Sequence, residues 1–231
     1  MSIAENIAQV RTNIAQACAQ AGRSPEEITL VGASKMNDAA ACREAIAAGI
    51  DALGENRVQE MTAKLADNAY DGAPLHFIGH LQRNKVKQVV GKVAFIQSVG
   101  SMELLEEIEK VAAREQLVQD ILLEVNIGRE EAKSGFDPDA VTAAAEAALS
   151  LPHVRVRGLM TIPPADADRD ANMRYFQEVQ ALYVDINTKL FHNELKCLSM
   201  GMSGDYMDAI RCGATMVRVG TAIFGARNYN I

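Results

Sequence analysis

"MVRVGTAIFG", residues 216–225, is the last of eight short apolar runs in this chain, and that count decides the fold. The seven before it are "ITLVGASK" (28–35), "DALGEN" (51–56), "LHFIGH" (75–80), "FIQSVGS" (95–101), "ILLEVNIG" (121–128), "VRVRGLMTI" (154–162) and "LKCLSMGMS" (195–203). Short apolar runs of this kind read as buried strands. The segments between most of them read as helices. "DAAACREAIAAG" ends in Gly49 as a C-cap, and "SMELLEEIEKVAAREQ" opens with Ser101 as an N-cap. "DPDAVTAAAEAALS" opens with Asp137 and carries Pro138 at the first helical position. Eight β units separated by helices point to a parallel sheet, and eight is the number that closes a (β/α)8 TIM-type barrel.

The length of 231 residues suits a barrel, a fold that typically takes about 250. Six residues follow the eighth run, so the usual last helix is expected to be missing. Ile3, Ile7, Val10, Ile14 and Cys18 recur at helical spacing, which predicts an additional N-terminal helix over 3–21 that covers that side. No Gly/Ser- or Pro-rich linker interrupts the chain, and 1–231 reads as one domain. The alternative, an open doubly wound sheet, lacks a GxGxxG after its first strand.

A formal net charge of -7 argues against a nucleic-acid or anionic-membrane binder, which needs a basic face. The one basic cluster, Arg83, Lys85 and Lys87 in "RNKVK", reads as a solvated helix start. Cys18, Cys42, Cys197 and Cys212 form no CxxC pair, so no zinc site or disulfide framework is expected, and free thiols suit a cytoplasmic location. No run resembles a signal peptide or approaches the roughly 18 apolar residues of a membrane span.

Function in such barrels gathers where strands end. The first run ends in Ser34 and Lys35, the second in Glu55, Asn56 and Arg57, and the third in His80, Gln82 and Asn84. In "SMGMSGDYMDAI", Gly201 and Gly204 permit a tight turn, and Ser203 is placed to cap a helix starting near Asp205, whose N–H groups suit a phosphate. Gly220 and Thr221, read as part of the eighth strand, would face the same spot. The carboxylate of Asp205 must then point elsewhere. Arg218 sits in an otherwise apolar strand and needs either an internal carboxylate or a ligand atom. His76 and His80 lack the glutamate of HExxH, so no metal site is expected. An amine, a phosphate cradle and a buried guanidinium together suit a phosphorylated aldehyde with a ring nitrogen, and pyridoxal 5'-phosphate (PLP) is such a molecule.

The motifs "ASK", "LGENRVQE", "HFIGHLQRNK", "VNIGREEAKSGF", "GLMTI" and "LSMGMSGDYMDAIRCGATMVRVGTAIFG" resemble the YggS/PROSC-type PLP homeostasis proteins, in order and over nearly the whole chain. Leu75 and Gly100 depart from that pattern, where many relatives carry Trp and Asp. The resemblance implies a single-domain barrel like the N-terminal domain of alanine racemase, of the fold-type III PLP class. It implies PLP held as a Schiff base on Lys35, phosphate contacts at Ser203, Gly204, Gly220 and Thr221, and the pyridine nitrogen near Arg218. Asn56, His80 and Met160 fall where the family lines the ring and its surroundings.

The expected role is a carrier in intracellular PLP (vitamin B6) homeostasis, without catalytic residues or substantial turnover. It would be a cytoplasmic monomer that serves PLP-dependent apoenzymes. The alternative is a PLP-dependent amino-acid racemase. Racemases resembling this barrel take a tyrosine for the second face of the substrate from another domain, and the chain is expected to lack that domain. Tyr206 and Tyr229 are the only tyrosines near the expected rim. A guanidinium near the ring nitrogen also disfavours its protonation and weakens carbanion chemistry. A Schiff-base aldolase would carry its lysine on a later strand.

Overall fold

The computed structural model describes residues 1–225; Tyr229 lies outside them. Helix α1 (Ile3–Ala21) comes first, followed by β1 (Thr29–Ala33), α2 (Ala39–Ala47), β2 (Ala52–Glu55), α3 (Val58–Ala66), β3 (Leu75–Phe77) and β4 (Phe95–Val99). Then come α4 (Met102–Arg114), β5 (Gln119–Val125), α5 (Val141–Ala148), β6 (Val154–Thr161), α6 (Arg169–Leu190), β7 (Cys197–Ser199), α7 (Tyr206–Arg211), β8 (Met216–Val219) and α8 (Thr221–Phe224). The strands run parallel in sequence order, and β8 returns to pair with β1 through Thr29–Met216 to Gly32–Val219, closing the barrel.

Strand alternation divides the side chains into two sets. Leu30, Leu53, Leu75, Phe77, Ile96, Leu198, Val217 and Val219 point outward and join the helices in the large apolar core. The inward set has only a small apolar cluster of Val31, Ala52 and Met216. Beside it the interior holds His76, Gln97, Glu124, Ser199 and Arg218 along with Met160, and these polar groups determine where a site can form. Helix α1 is pinned by a Ser2–Glu5 capping box and ends at Gly22 in the left-handed region. Its buried face, Ile7, Val10, Ile14, Ala17 and Cys18, packs on the wall near α7 and α8.

Several element ends differ from the sequence reading. β1 stops at Ala33, so Lys35 lies in the turn beyond the strand. The eighth run divides: β8 ends at Val219, and Thr221–Phe224 forms the short helix α8, so a last helix is present after all. Thr221 therefore opens that helix instead of lying on a strand. Helix α5 starts at Val141, because Asp137 turns its carboxylate onto the Asp139 N–H and Pro138 sits in a preceding turn. The "RNKVK" segment is a 3-10 helix, Arg83–Gln88. Gly158 sits at a register shift between β5 and β6, where an added Cβ would lie 1.6 Å from the Cys197 carbonyl oxygen. Only glycine permits β6 and β7 to approach that closely. Among the described residues, no helix is long and apolar enough to cross a membrane.

Candidate functional site

A directed hydrogen-bond chain crosses the barrel interior. Arg218 is 3% exposed, and its Nη1 donates to Ser199 Oγ at 2.5 Å while Nη2 donates to the Thr161 carbonyl at 2.8 Å. Guanidinium has no acceptor, so Ser199 must receive that bond and send its own proton onward. It donates to Gln97 Oε1 at 2.7 Å. This fixes the Gln97 amide with Nε2 towards His76 Nδ1, 2.8 Å away. His76 is therefore the Nε2–H tautomer and neutral, and burial pushes its pKa down to about 4. Burial likewise lowers Arg218 to about 10, with Glu124 and Asp205 acting against it, so the guanidinium stays charged at neutral pH.

The two hydrogen-bond partners of Arg218 are an alcohol and a carbonyl, not a carboxylate. Glu124, at the end of β5, acts on it from further away. Burial raises the Glu124 carboxyl, Ser134, Arg218 and His80 pull it back, and Oε2 has no hydrogen-bond partner. Met160 is fully buried and stands in register between Glu124 on β5 and Ser199 on β7.

Ser203 behaves differently from the sequence expectation. It leaves α7 without a side-chain cap, and its Oγ accepts the N–H groups of Gly220 and Ala222, at 3.1 and 3.3 Å, across the mouth. Its own hydroxyl proton remains available to an acceptor. The Asp205 carboxylate is turned back onto the Met202 N–H at 2.6 Å and Asn172 Nδ2 at 3.2 Å, which directs it away from the Ser203 hydroxyl. Gly204 and Thr221 are exposed beside them. Gly220 packs against Ala33, at 3.4 Å for an added Cβ, and so joins this corner to the strand that leads to Lys35.

Asn56 and His80 line one cavity of 160 Å³ with Arg57, Gln82 and Lys85. Asn56 Oδ1 is buried there without a partner. Gly79 makes this corner possible, since a Cβ on it would lie 2.2 Å from the Asn56 carbonyl oxygen. His76 does not join His80. It stacks at a tilt on Phe95, with ring centroids 4.9 Å apart, and no metal-holding cluster occurs among the described residues.

Lys35 is half-buried and occupies the second position of a turn closed by the Asn37 N–H on the Ser34 carbonyl at 3.1 Å. Behind the turn lies a buried polar knot. Ser34 Oγ (2.7 Å), Lys64 Nζ (2.5 Å) and Tyr70 Oη (3.1 Å) all donate to Glu55 Oε1, and Lys64 Nζ also reaches the Ser34 carbonyl at 2.8 Å. Burial and the adjacent Glu55 push the Tyr70 phenol well up, so it stays a donor. Sequence reading missed Lys64, Gln97, Ser199 and Glu124. A signal existed for three of these: each is a polar residue inside an apolar run. Tyr206, expected near the rim, is buried against α1 and accepts from Asn13 Nδ2 at 2.9 Å.

A closed parallel barrel with a polar interior and a polar mouth belongs to the ligand-holding class of barrels. The family described as "Alanine racemase, N-terminal domain" matches residues 6–228, and the chain belongs to that family. It is 42% identical over 229 residues to the pyridoxal phosphate homeostasis protein of Aquifex aeolicus, covering 99% of this chain and 100% of the other. The structure of PipY from Synechococcus elongatus PCC7942 with PLP bound superposes with a TM-score of 0.85 at 33% identity, covering 97% of this chain and 100% of PipY. An alanine racemase of Clostridium difficile shares the fold at a TM-score of 0.73 and 17% identity, over 99% of this chain and 58% of the racemase.

Proposed function

We propose that this protein holds pyridoxal 5'-phosphate as a Schiff base on Lys35 and takes part in PLP homeostasis as a carrier, without substantial turnover. PLP supplies an aldehyde that condenses with a primary amine and releases water. The observation that carries the reading is Arg218, a buried, charged guanidinium that among the described residues hydrogen-bonds only an alcohol and a carbonyl, with Glu124 and Asp205 acting on it without a hydrogen bond. A buried charge left this way calls for a ligand atom. With two of its N–H groups spent, Arg218 keeps donors for a pyridine nitrogen, and its charge keeps that nitrogen unprotonated. Ser203, Gly204, Gly220 and Thr221 receive the phosphate. Asn56, with its unpartnered Oδ1, lines the ring together with His80 and Met160.

The racemase alternative needs a proton donor on the second face of the substrate. Tyr206 is engaged with α1, which speaks against it in that role. The relatives, too, are named homeostasis proteins. We assign the whole chain, 1–231, to one PLP-binding domain that works as a cytoplasmic monomer and serves PLP-dependent apoenzymes. Borohydride reduction of the PLP-treated protein followed by peptide mapping tests the assignment. Label on Lys35, lost in a folded Lys35→Ala variant, is the expected result. Label elsewhere, or no uptake of PLP, overturns it. Assays with amino acids should find no turnover.

A further inference from the structure

Two charged side chains of α3 grip the residues on either side of Lys35. Glu60 and Lys64 are four residues apart and so lie on one face of the helix. Glu60 Oε2 accepts the Met36 N–H at 2.8 Å, and Lys64 Nζ donates to the Ser34 carbonyl at 2.8 Å. Met36 has φ 60, in the left-handed region that a residue with a Cβ rarely enters. The Glu60 carboxylate gives that strained peptide a charged acceptor, and such bonds are about twice as strong as neutral ones. Met36 therefore stays in the conformation that sets where the chain leaves Lys35.

From this arrangement we infer that Glu60 and Lys64 act as a two-pronged clamp that positions the Lys35 amine for imine formation with the aldehyde. Both side chains hold backbone groups next to Lys35, so both are assigned as positioning residues. One prong is an anion and the other a cation already paired with Glu55, and together they fix the turn from both sides of Lys35. The prongs also differ in setting. Lys64 is buried and belongs to the Glu55 knot, whereas the Glu60 side chain is 24% exposed, with Arg57 Nη1 3.5 Å away. Glu60 can be altered with little risk to the fold, and this makes the clamp testable. The inference rests on the PLP reading of Lys35 given above.

The test uses the full chain with Glu60→Ala and Glu60→Gln. The first removes the acceptor. The second keeps a neutral one in place. The rate of PLP trapping on Lys35 is measured under native conditions. In parallel, the pH profile of Lys35 labelling by a small amine reagent is measured on cofactor-free protein. Misplacing a reacting group by about 1 Å can cost about a hundredfold. With Lys64 still holding Ser34, Glu60→Ala is expected to slow trapping about tenfold and to shift the labelling profile, with Glu60→Gln restoring most of the rate. A merely structural role would lower the melting temperature without moving either readout. Wild-type trapping and an unchanged labelling profile in Glu60→Ala overturn the clamp while leaving the PLP reading intact. If wild-type protein traps no PLP on Lys35, the PLP reading fails. The inference fails with it as stated, and the labelling profile then reports only whether Glu60 orders the turn.

Discussion

The hydrogen-bond chain from Arg218 to His76 makes stability depend on pH in a way that one substitution can isolate. His76 Nδ1 must accept from Gln97 Nε2. Protonation turns that nitrogen into a donor, sets it against the Gln97 amide, and places a second cation inside a barrel that already holds Arg218. The folded imidazole titrates at about 4, against an ordinary value of 6.5. Between these values the unfolded chain binds a proton that the folded chain refuses, so stability falls as pH falls from 6.5 towards 4 and is fully present above that window. At about 1.36 kcal/mol per pH unit, the loss attributable to His76 comes to about 3 kcal/mol. Other groups contribute as well: the raised Glu124 acts in the opposite sense as pH falls towards its ordinary value, and the lowered Asp208 adds its loss below that of a free aspartate. The measurement is therefore a difference. His76→Asn places an amide oxygen near the position of Nδ1, keeps the bond to Gln97, and cannot titrate. It loses the ring contact with Phe95 at every pH. Urea unfolding of both proteins, followed by far-UV circular dichroism because the chain has no tryptophan, gives the stability difference as a function of pH. The wild-type advantage should shrink by about 3 kcal/mol between neutral pH and about pH 4. Parallel stability curves would refute the neutral, singly oriented relay.

Three other substitutions test different parts of the site. Ser203→Ala strips the acceptor from the Gly220 and Ala222 N–H groups and should cost about 1 kcal/mol of stability, seen in urea unfolding, with weaker PLP binding in equilibrium dialysis. Lys64→Met leaves the fully buried Glu55 carboxylate without its cation and should cost about 3–5 kcal/mol, whereas Glu55→Gln/Lys64→Met should recover much of the loss in the same unfolding assay. Gly158→Ala would force a methyl group into the Cys197 carbonyl and should destabilise by more than about 4 kcal/mol, so soluble protein with a wild-type melting temperature would contradict the β6–β7 approach described above.

The barrel was legible because its strands are short and apolar and its helices carry their own start signals, such as the Ser101 cap. Element ends were less legible. "ASK" reads as one unit, yet the strand stops at Ala33 because the chain turns immediately, with Met36 in the left-handed region. The "GTAIFG" segment looks like a continued strand, but its apolar content does not distinguish a strand from a short helix. Ser203 was chosen correctly as a cap but assigned to the wrong helix. Its partners, Gly220 and Ala222, lie beyond the next strand and come near only once β7 and β8 pair. Glu60 and Lys64 look like an ordinary solvated helix face until the fold places Ser34 and Met36 beneath them. Such contacts are tertiary, and no local pattern encodes them.

The wall on either side of the β1–β8 seam is built from the two ends of the described chain. Asn6 donates to the Ile223 carbonyl, and Arg23 Nη1 reaches the carbonyls of Ile210 and Ala214. Helix α1 is thus made first during synthesis but meets α7 and α8 only when the end of the described chain has been made. Until then its apolar stripe has nothing from the far side of the barrel to cover it. Closure is one long-range event that joins about two hundred intervening residues, and contacts of that separation slow folding and leave surface exposed while they wait. The seam that completes the ligand mouth is accordingly the last part of the molecule to become protected, and hydrogen exchange during refolding should register it last.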